Sequence, residues 1–313
     1  MTHKAPFSAI FIAFLSAVLA YAQPDLIIIP FQDQGNMIVV EGTLNGRTGN
    51  LIVDTGIAKM LINETYVQEA DRFTSPASSG FQSVNGSDRN LGMSLVTLQI
   101  SLFSAKTAAQ IMDLKGIERQ KGMDILGVVG IDLLRKYELE IDYFSKEIRL
   151  YDLDRNGNRH RQEPQPLPTE ILPFRYEGHL PCITAHLFGQ TLQLGLDTGA
   201  EINFFSSSIY ESSGKRFQNP RTATILALNG QGTPALSAQM TGLQIGALEM
   251  PPMQTAFAAL NTQYGGLDGK SIHGLLGYEF FRHFRIAINF KKREVFLWDE
   301  ESTENPMVAR ERN

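Results

Sequence analysis

Two short runs constrain this chain more than anything else in it. Residues 51–56 read LIVDTG and residues 194–199 read LGLDTG. An apolar run therefore ends twice in Asp-Thr-Gly, at Asp54 and again at Asp197, 143 residues on (197 − 54). Such a run breaking into glycine predicts a buried strand that turns sharply, because glycine tolerates backbone angles that a side chain forbids. At average composition one such tripeptide is expected by chance in about 1 in 20 chains of this length. A second copy in the same setting asks for a common cause.

The register around the two runs supplies it. Pro30-Phe31 and Gly35 recur as Pro173-Phe174 and Gly178, and Leu44 and Gly46 recur as Leu187 and Gly189, all at offset 143. Asn85-Gly86 recurs as Asn229-Gly230 at offset 144, and Leu98-Gln99-Ile100 as Leu243-Gln244-Ile245 at offset 145. GVVGIDLLRKYELEIDY from Gly127 aligns without a gap to GLLGYEFFRHFRIAINF from Gly274. This spacing is far longer than the roughly 20–50 residues of a solenoid repeat. Two similar units facing one another are expected instead.

Length agrees: 313 residues suit about two domains, each large enough for its own core. The net charge of −5 leaves no basic footprint, which argues against nucleic acid as a partner. The single cysteine, Cys182, forbids an internal disulfide and a cysteine metal site, and is expected as a small core residue. At the N-terminus, Lys4 precedes an apolar stretch over 7–20, and Ala20-Tyr21-Ala22 offers an A-x-A cleavage site before Gln23. The apolar stretch is short for a membrane span. A signal peptide over 1–22 and a periplasmic or secreted mature protein without a stable membrane anchor are expected.

Residues 25–32, 37–43 and 48–53 read as strands, with the turn Leu44-Asn45-Gly46-Arg47 between the last two. A short helix is expected over 63–70, a Ser-, Gly- and Asn-rich stretch over 72–92, and a strand over 93–103. Residues 125–130 read as a buried strand entering a tight turn, 132–137 as a short helix, and 138–143 with 147–151 as a hairpin. Residues 152–169 are charged and Pro-rich. The second copy ends in a hairpin over 285–290 and 294–298, where Trp298 corresponds to Tyr151, both expected to pack on the core. The expected organisation is a first lobe over 23–154, a linker over 155–170, a second lobe over 171–299 and a disordered tail over 300–313.

The recurring unit is a strand, Asp-Thr-Gly, a glycine-bearing hairpin, then two apolar residues, glycine and a short helix. It resembles the half-domain of aspartic proteases of the retropepsin and pepsin group. The residues that carry the resemblance are Asp54-Thr55-Gly56 with Val128-Val129-Gly130, and Asp197-Thr198-Gly199 with Leu275-Leu276-Gly277. The chain resembles exported bacterial proteins of this kind with two fused lobes. One departure stands out: Ser, Thr or Ala usually follows the motif, and Ala200 conforms while Ile57 does not.

The resemblance implies an all-β fold of two pseudo-symmetric retropepsin-like barrel lobes with short helices. It implies an aspartic endopeptidase in which Asp54 and Asp197 activate water, one as base and the other as the protonated partner that polarises the carbonyl. Two close carboxylates cannot both ionise easily, so they share a proton and titrate as a pair. Thr55, Gly56, Thr198 and Gly199 would support the dyad, and Asn85, Gly86, Asn229 and Gly230 would form flap tips over an extended peptide. Without a donor at Ile57, and with its apolar bulk beside Asp54, Asp54 is expected to hold the proton. The partner would be a peptide or protein substrate, with no cofactor, no metal, no nucleic acid and a monomeric chain. Two other readings share the fold: a catalytically silent peptide-binding protein, and an envelope interaction protein that uses the lobes as scaffold.

Weaker motifs point elsewhere. Asp152, Asp154, Asn156, Gly157 and Glu163 match an EF-hand loop, but a strand precedes them and Pro164 and Pro166 follow, so a solvated linker is expected. Gly269-Lys270-Ser271 lacks the leading glycine of a phosphate loop. The six histidines form no ligand-like cluster, and His179 and His273 read as loop or core residues. No G-x-S-x-G nucleophile elbow is present.

Overall fold

The computed structural model describes residues 24–74, 82–83, 86–87, 91–160, 164–226, 228, 230, 232–259 and 272–299. The expected signal segment, the expected tail and the expected tip residues Asn85 and Asn229 lie outside the described residues. The fold is all-β with a few short helices and is of the retropepsin-like class.

Each half builds the same arrangement around its Asp-Thr-Gly. In the first, Arg47–Val53 runs parallel to Ile125–Val129, which pairs antiparallel with Leu61–Asn63, itself parallel to Phe103–Met112. In the second, Gln190–Leu196 runs parallel to Gly274–Leu276, which pairs antiparallel with Asn203–Ser206, itself parallel to Met253–Ala258. The strand leading to each aspartate is thus central to a sheet. This is why it reads as an uninterrupted apolar run in sequence: Leu51, Ile52, Leu194 and Leu196 are all fully buried. Burying each such side chain contributes roughly 1.5–3 kcal/mol.

The halves meet in a six-stranded antiparallel layer to which each gives three strands. Leu26–Pro30, Glu147–Tyr151 and Glu138–Asp142 come from the first, and Arg285–Asn289, Glu294–Trp298 and Glu170–Glu177 from the second. At its centre Glu138 pairs with Asn289 and Asp142 with Arg285. Those positions are related by the same offset of 147 (285 − 138 = 289 − 142), so the two corresponding strands pair with each other about an approximate two-fold. Residues 155–160 of the expected linker are anchored here. Arg159 Nε donates to Glu138 Oε1 at 2.7 Å, Arg159 Nη2 to Glu140 Oε2 at 3.0 Å, and the guanidinium stacks 3.5 Å from the Tyr151 ring centroid. Tyr151 and Trp298 are both buried, as their correspondence predicts.

Three expectations need correction. Residues 63–70 do not form one short helix: two 3-10 turns, Glu64–Tyr66 and Glu69–Asp71, are separated by Val67 in extended backbone. The strand expected over 93–103 is in fact two, Met93–Ile100 and Phe103–Met112, paired as a hairpin. A helix, Lys115–Lys121, follows where none was expected; it closes on Gly122, whose φ of 65° suits glycine at a helix C-terminus.

Candidate functional site

Asp54 and Asp197 lie where the two central strands end. Their backbone N–H groups donate to Val129 O and Leu276 O, each at 3.0 Å, so the first residue of each turn is still tied to its sheet. The turns then cross-link. Thr55 N–H donates to Thr198 Oγ1 and Thr198 N–H to Thr55 Oγ1, both at 3.0 Å. Each hydroxyl donates in turn to the opposite strand, Thr55 Oγ1 to Leu196 O at 2.9 Å and Thr198 Oγ1 to Val53 O at 3.0 Å. Both threonines are buried, so all four groups would be unsatisfied without this exchange. The need for threonine after each aspartate follows: one small side chain must both donate and accept.

The glycines are required by proximity. A methyl group added to Gly56 would overlap the Asp197 carboxylate, and one added to Gly199 would overlap that of Asp54. Each glycine instead turns its N–H inward, Gly56 to Asp54 Oδ1 at 2.7 Å and Gly199 to Asp197 Oδ1 at 2.9 Å. The two carboxyl groups are within hydrogen-bonding reach of each other, and both residues are buried. Burial is the first cause that raises both above the usual carboxylate range. The negative charge of Asp197 and its hydrogen bond then raise Asp54 further. Backbone N–H groups oppose the rise at both, Gly56 and Gly199 at Asp54, and Gly199 and Ala200 at Asp197, where the bond from Asp54 and the nearby imidazole of His179 act in the same direction. The two carboxyls share one hydrogen bond and titrate as a pair, with burial raising both.

The dyad forms the floor of a cleft of about 340 Å³. Its walls are largely apolar, with Met37, Ile57 and Ile117 from one half and Phe204, Ile225 and Leu275 from the other. Over it reaches the hairpin of Gln218–Leu226 and Gly232–Met240. Its tip touches the opposite half. Ile117 N–H donates to Leu228 O at 3.2 Å, and Leu228 packs on the apolar group that includes Met37, Ile57 and Ile117. Gly230 has φ of 81° and leaves a Cβ position only 2.9 Å from Gly116 Cα, so its lack of a side chain permits both the turn and the approach. The candidate tip Gly230 thus lies against Gly116 of the opposite half. Gly86 lies in the short strand Gly86–Ser87 paired with Gln82–Ser83.

Several residues here escaped the sequence reading. The helix Lys115–Lys121 receives the hairpin tip and also grips the loop after the second motif, through the Lys121–Glu201 ion pair at 2.8 Å and Gln120 Nε2 to Glu201 Oε1 at 3.3 Å. His179, expected in a loop or the core, sits in a turn with its Nε2 2.7 Å from Gly56 O, beside the dyad. Only the glycine register of that turn gave a signal. Cys182 is buried as expected, and burial pushes its thiol up to about 12. In the linker loop, Asp154 Oδ1 accepts the N–H groups of Asn156 and Asn158, each at 2.8 Å, while Glu163 lies outside the described residues. Among the described residues no cluster of three or more metal-binding side chains occurs.

Residues 183–280 match the family model described as aspartyl protease. The matched span holds Asp197, the cleft hairpin and the start of the Tyr278–Phe281 helix, and does not reach Asp54. No curated protein matches the chain.

Proposed function

We propose that this protein is an exported aspartic endopeptidase that hydrolyses peptide bonds with water activated between Asp54 and Asp197. The observation that carries the reading is the pair of buried carboxyl groups brought face to face by the threonine exchange and by the two glycines that each lie against the opposite carboxylate. Asp197, the more ionised, takes a proton from a water held between the two. Asp54 gives its hydrogen bond to the substrate carbonyl, whose oxygen gains charge as the water oxygen attacks carbon. The proton then passes to the amide nitrogen as the C–N bond breaks, and the pair returns to its singly protonated state. Neither aspartate forms a covalent bond to substrate.

An extended peptide suits the cleft, because the hairpin strand Gln218–Leu226 ends the sheet and can take main-chain hydrogen bonds. The apolar walls favour large apolar side chains beside the scissile bond. Export is supported by Lys4, the apolar run over 7–20 and the Ala20-Tyr21-Ala22 site, with Gln23 as first residue of the mature chain. One observation favours the silent peptide-binding alternative: Leu228 and Ile117 hold the hairpin across the cleft. Incubating the mature protein with a diverse peptide mixture across pH 3–8 and identifying products by mass spectrometry separates the readings. New termini flanked by apolar residues support hydrolysis. Peptides retained uncut at every pH refute it.

A further inference from the structure

His179 occupies the turn between Glu170–Glu177 and Leu180–Leu187. Its Nε2 lies 2.7 Å from Gly56 O. A carbonyl only accepts, so Nε2 carries a hydrogen and donates. Gly56 is the glycine that the close approach of Asp197 forces on the first motif. Glycine leaves a loop least restrained by itself, and no side chain at that position can pack to fix it. The neighbouring peptide group of the same residue holds Asp54, through the Gly56 N–H bond of 2.7 Å to Oδ1. The restraint that Gly56 cannot supply for itself therefore comes from a residue 123 positions away, in the other half (179 − 56).

The opposite side has a counterpart. Asn36, at offset 143 from His179, donates through Nδ2 to Glu201 O at 3.0 Å. Each half thus sends one side chain from its first turn to the aspartate-bearing loop of the other. They land differently: Asn36 grips a carbonyl four residues after Asp197, whereas His179 grips one only two residues after Asp54. The imidazole is also near enough to Asp197 to favour its ionised form.

We infer that His179 is a positioning residue for catalysis: its Nε2–H holds the Gly56 carbonyl, which fixes the Gly56 N–H on Asp54 and so the setting of Asp54 against Asp197. The inference rests on the hydrolytic reading above. His179→Leu removes the donor and keeps bulk; His179→Gln keeps a donor at similar reach. With melting temperatures confirming that both variants fold, His179→Leu is expected to lower kcat about tenfold with KM within about twofold, and His179→Gln to stay within about threefold of the parent in both.

A second readout does not need turnover. A peptide carrying a secondary alcohol in place of the scissile amide presents its hydroxyl to the dyad, and its Kd is measured by calorimetry. His179→Leu is expected to weaken it about tenfold and His179→Gln to leave it unchanged. If nothing is cleaved but the alcohol affinities separate in this way, the hydrolytic reading fails and the role of His179 stands. Alcohol affinities that do not separate the two variants overturn the assignment, as does, where the parent cleaves, a rise in KM at constant kcat or a His179→Gln variant as poor as His179→Leu.

Discussion

Replacing Thr198 by Val removes one hydroxyl and little else, because the two side chains have nearly the same shape. That hydroxyl accepts from Thr55 N–H and donates to Val53 O, each at 3.0 Å and inaccessible to water. The variant leaves both partners buried without it. An unsatisfied buried group costs about 1–3 kcal/mol, so two cost roughly 3 kcal/mol even if the turns relax partly. For a protein of this size that corresponds to a fall in Tm of about 5 °C. Urea unfolding followed by fluorescence gives the free energy, with Thr198→Ser, which keeps the hydroxyl, as the control that should lose under about 1 kcal/mol. Thr55→Val should cost a similar amount. The double variant should cost less than the sum, because the two hydroxyls serve one network. A Thr198→Val protein within about 1 kcal/mol of the parent at unchanged m would refute the claim that this exchange joins the halves beneath the site.

Three further outcomes follow from the same geometry. Both aspartates have folded pKa values raised above the unfolded value, so the folded state binds the extra proton and stability falls as pH rises through the folded values. Asp54→Asn should therefore melt above the parent at pH 7, with the gain fading toward pH 3; a variant that melts lower at pH 7 contradicts the burial argument. Ile57→Ser supplies a donor beside Asp54 and removes apolar bulk, so the acid limb of activity should move to lower pH although the lost core contact costs about 3 kcal/mol. An unmoved limb counts against a role for Ile57 in tuning the pair. Leu228→Asp puts a charge on the apolar patch that holds the hairpin tip, and exchange of the Ile117 amide hydrogen should speed up at least about tenfold; unchanged exchange means that the tip is not held there.

The parts of the fold governed by local pattern were legible in the sequence. The runs before Asp54 and Asp197 announced central strands because burial on both faces permits only apolar residues. The hairpins ending at Tyr151 and Trp298 were readable from clean alternation and short turns. The pairing of Asp54 with Asp197 was legible because the tripeptide recurs with its preceding apolar run.

Contacts between the halves were not. The bond from His179 to Gly56 spans 123 residues and exists only once the lobes pack; a single histidine in a turn has no pattern of its own. The helix Lys115–Lys121 has one buried apolar residue, Ile117, and hence no amphipathic period, although the basic last turn before Gly122 is a stop signal that could have been used. The helix expected over 63–70 failed because Asn63 caps a single turn through Thr65 N–H and Val67 then returns to extended backbone. The burial that raises both carboxyls, and the backbone N–H groups that oppose it at each, come from the packing of the two turns, which sequence does not reveal.

The central claim is that Asp54 and Asp197 act as one unit. Its most direct test is the cleavage rate of a single susceptible peptide by Asp54→Asn, Asp197→Asn and the double variant, each purified free of host proteases and checked for folding. Residues that act together are strongly non-additive, so each single change should reduce turnover to about the level of the double variant. Cleavage by either single variant at a rate comparable to the parent would contradict the account.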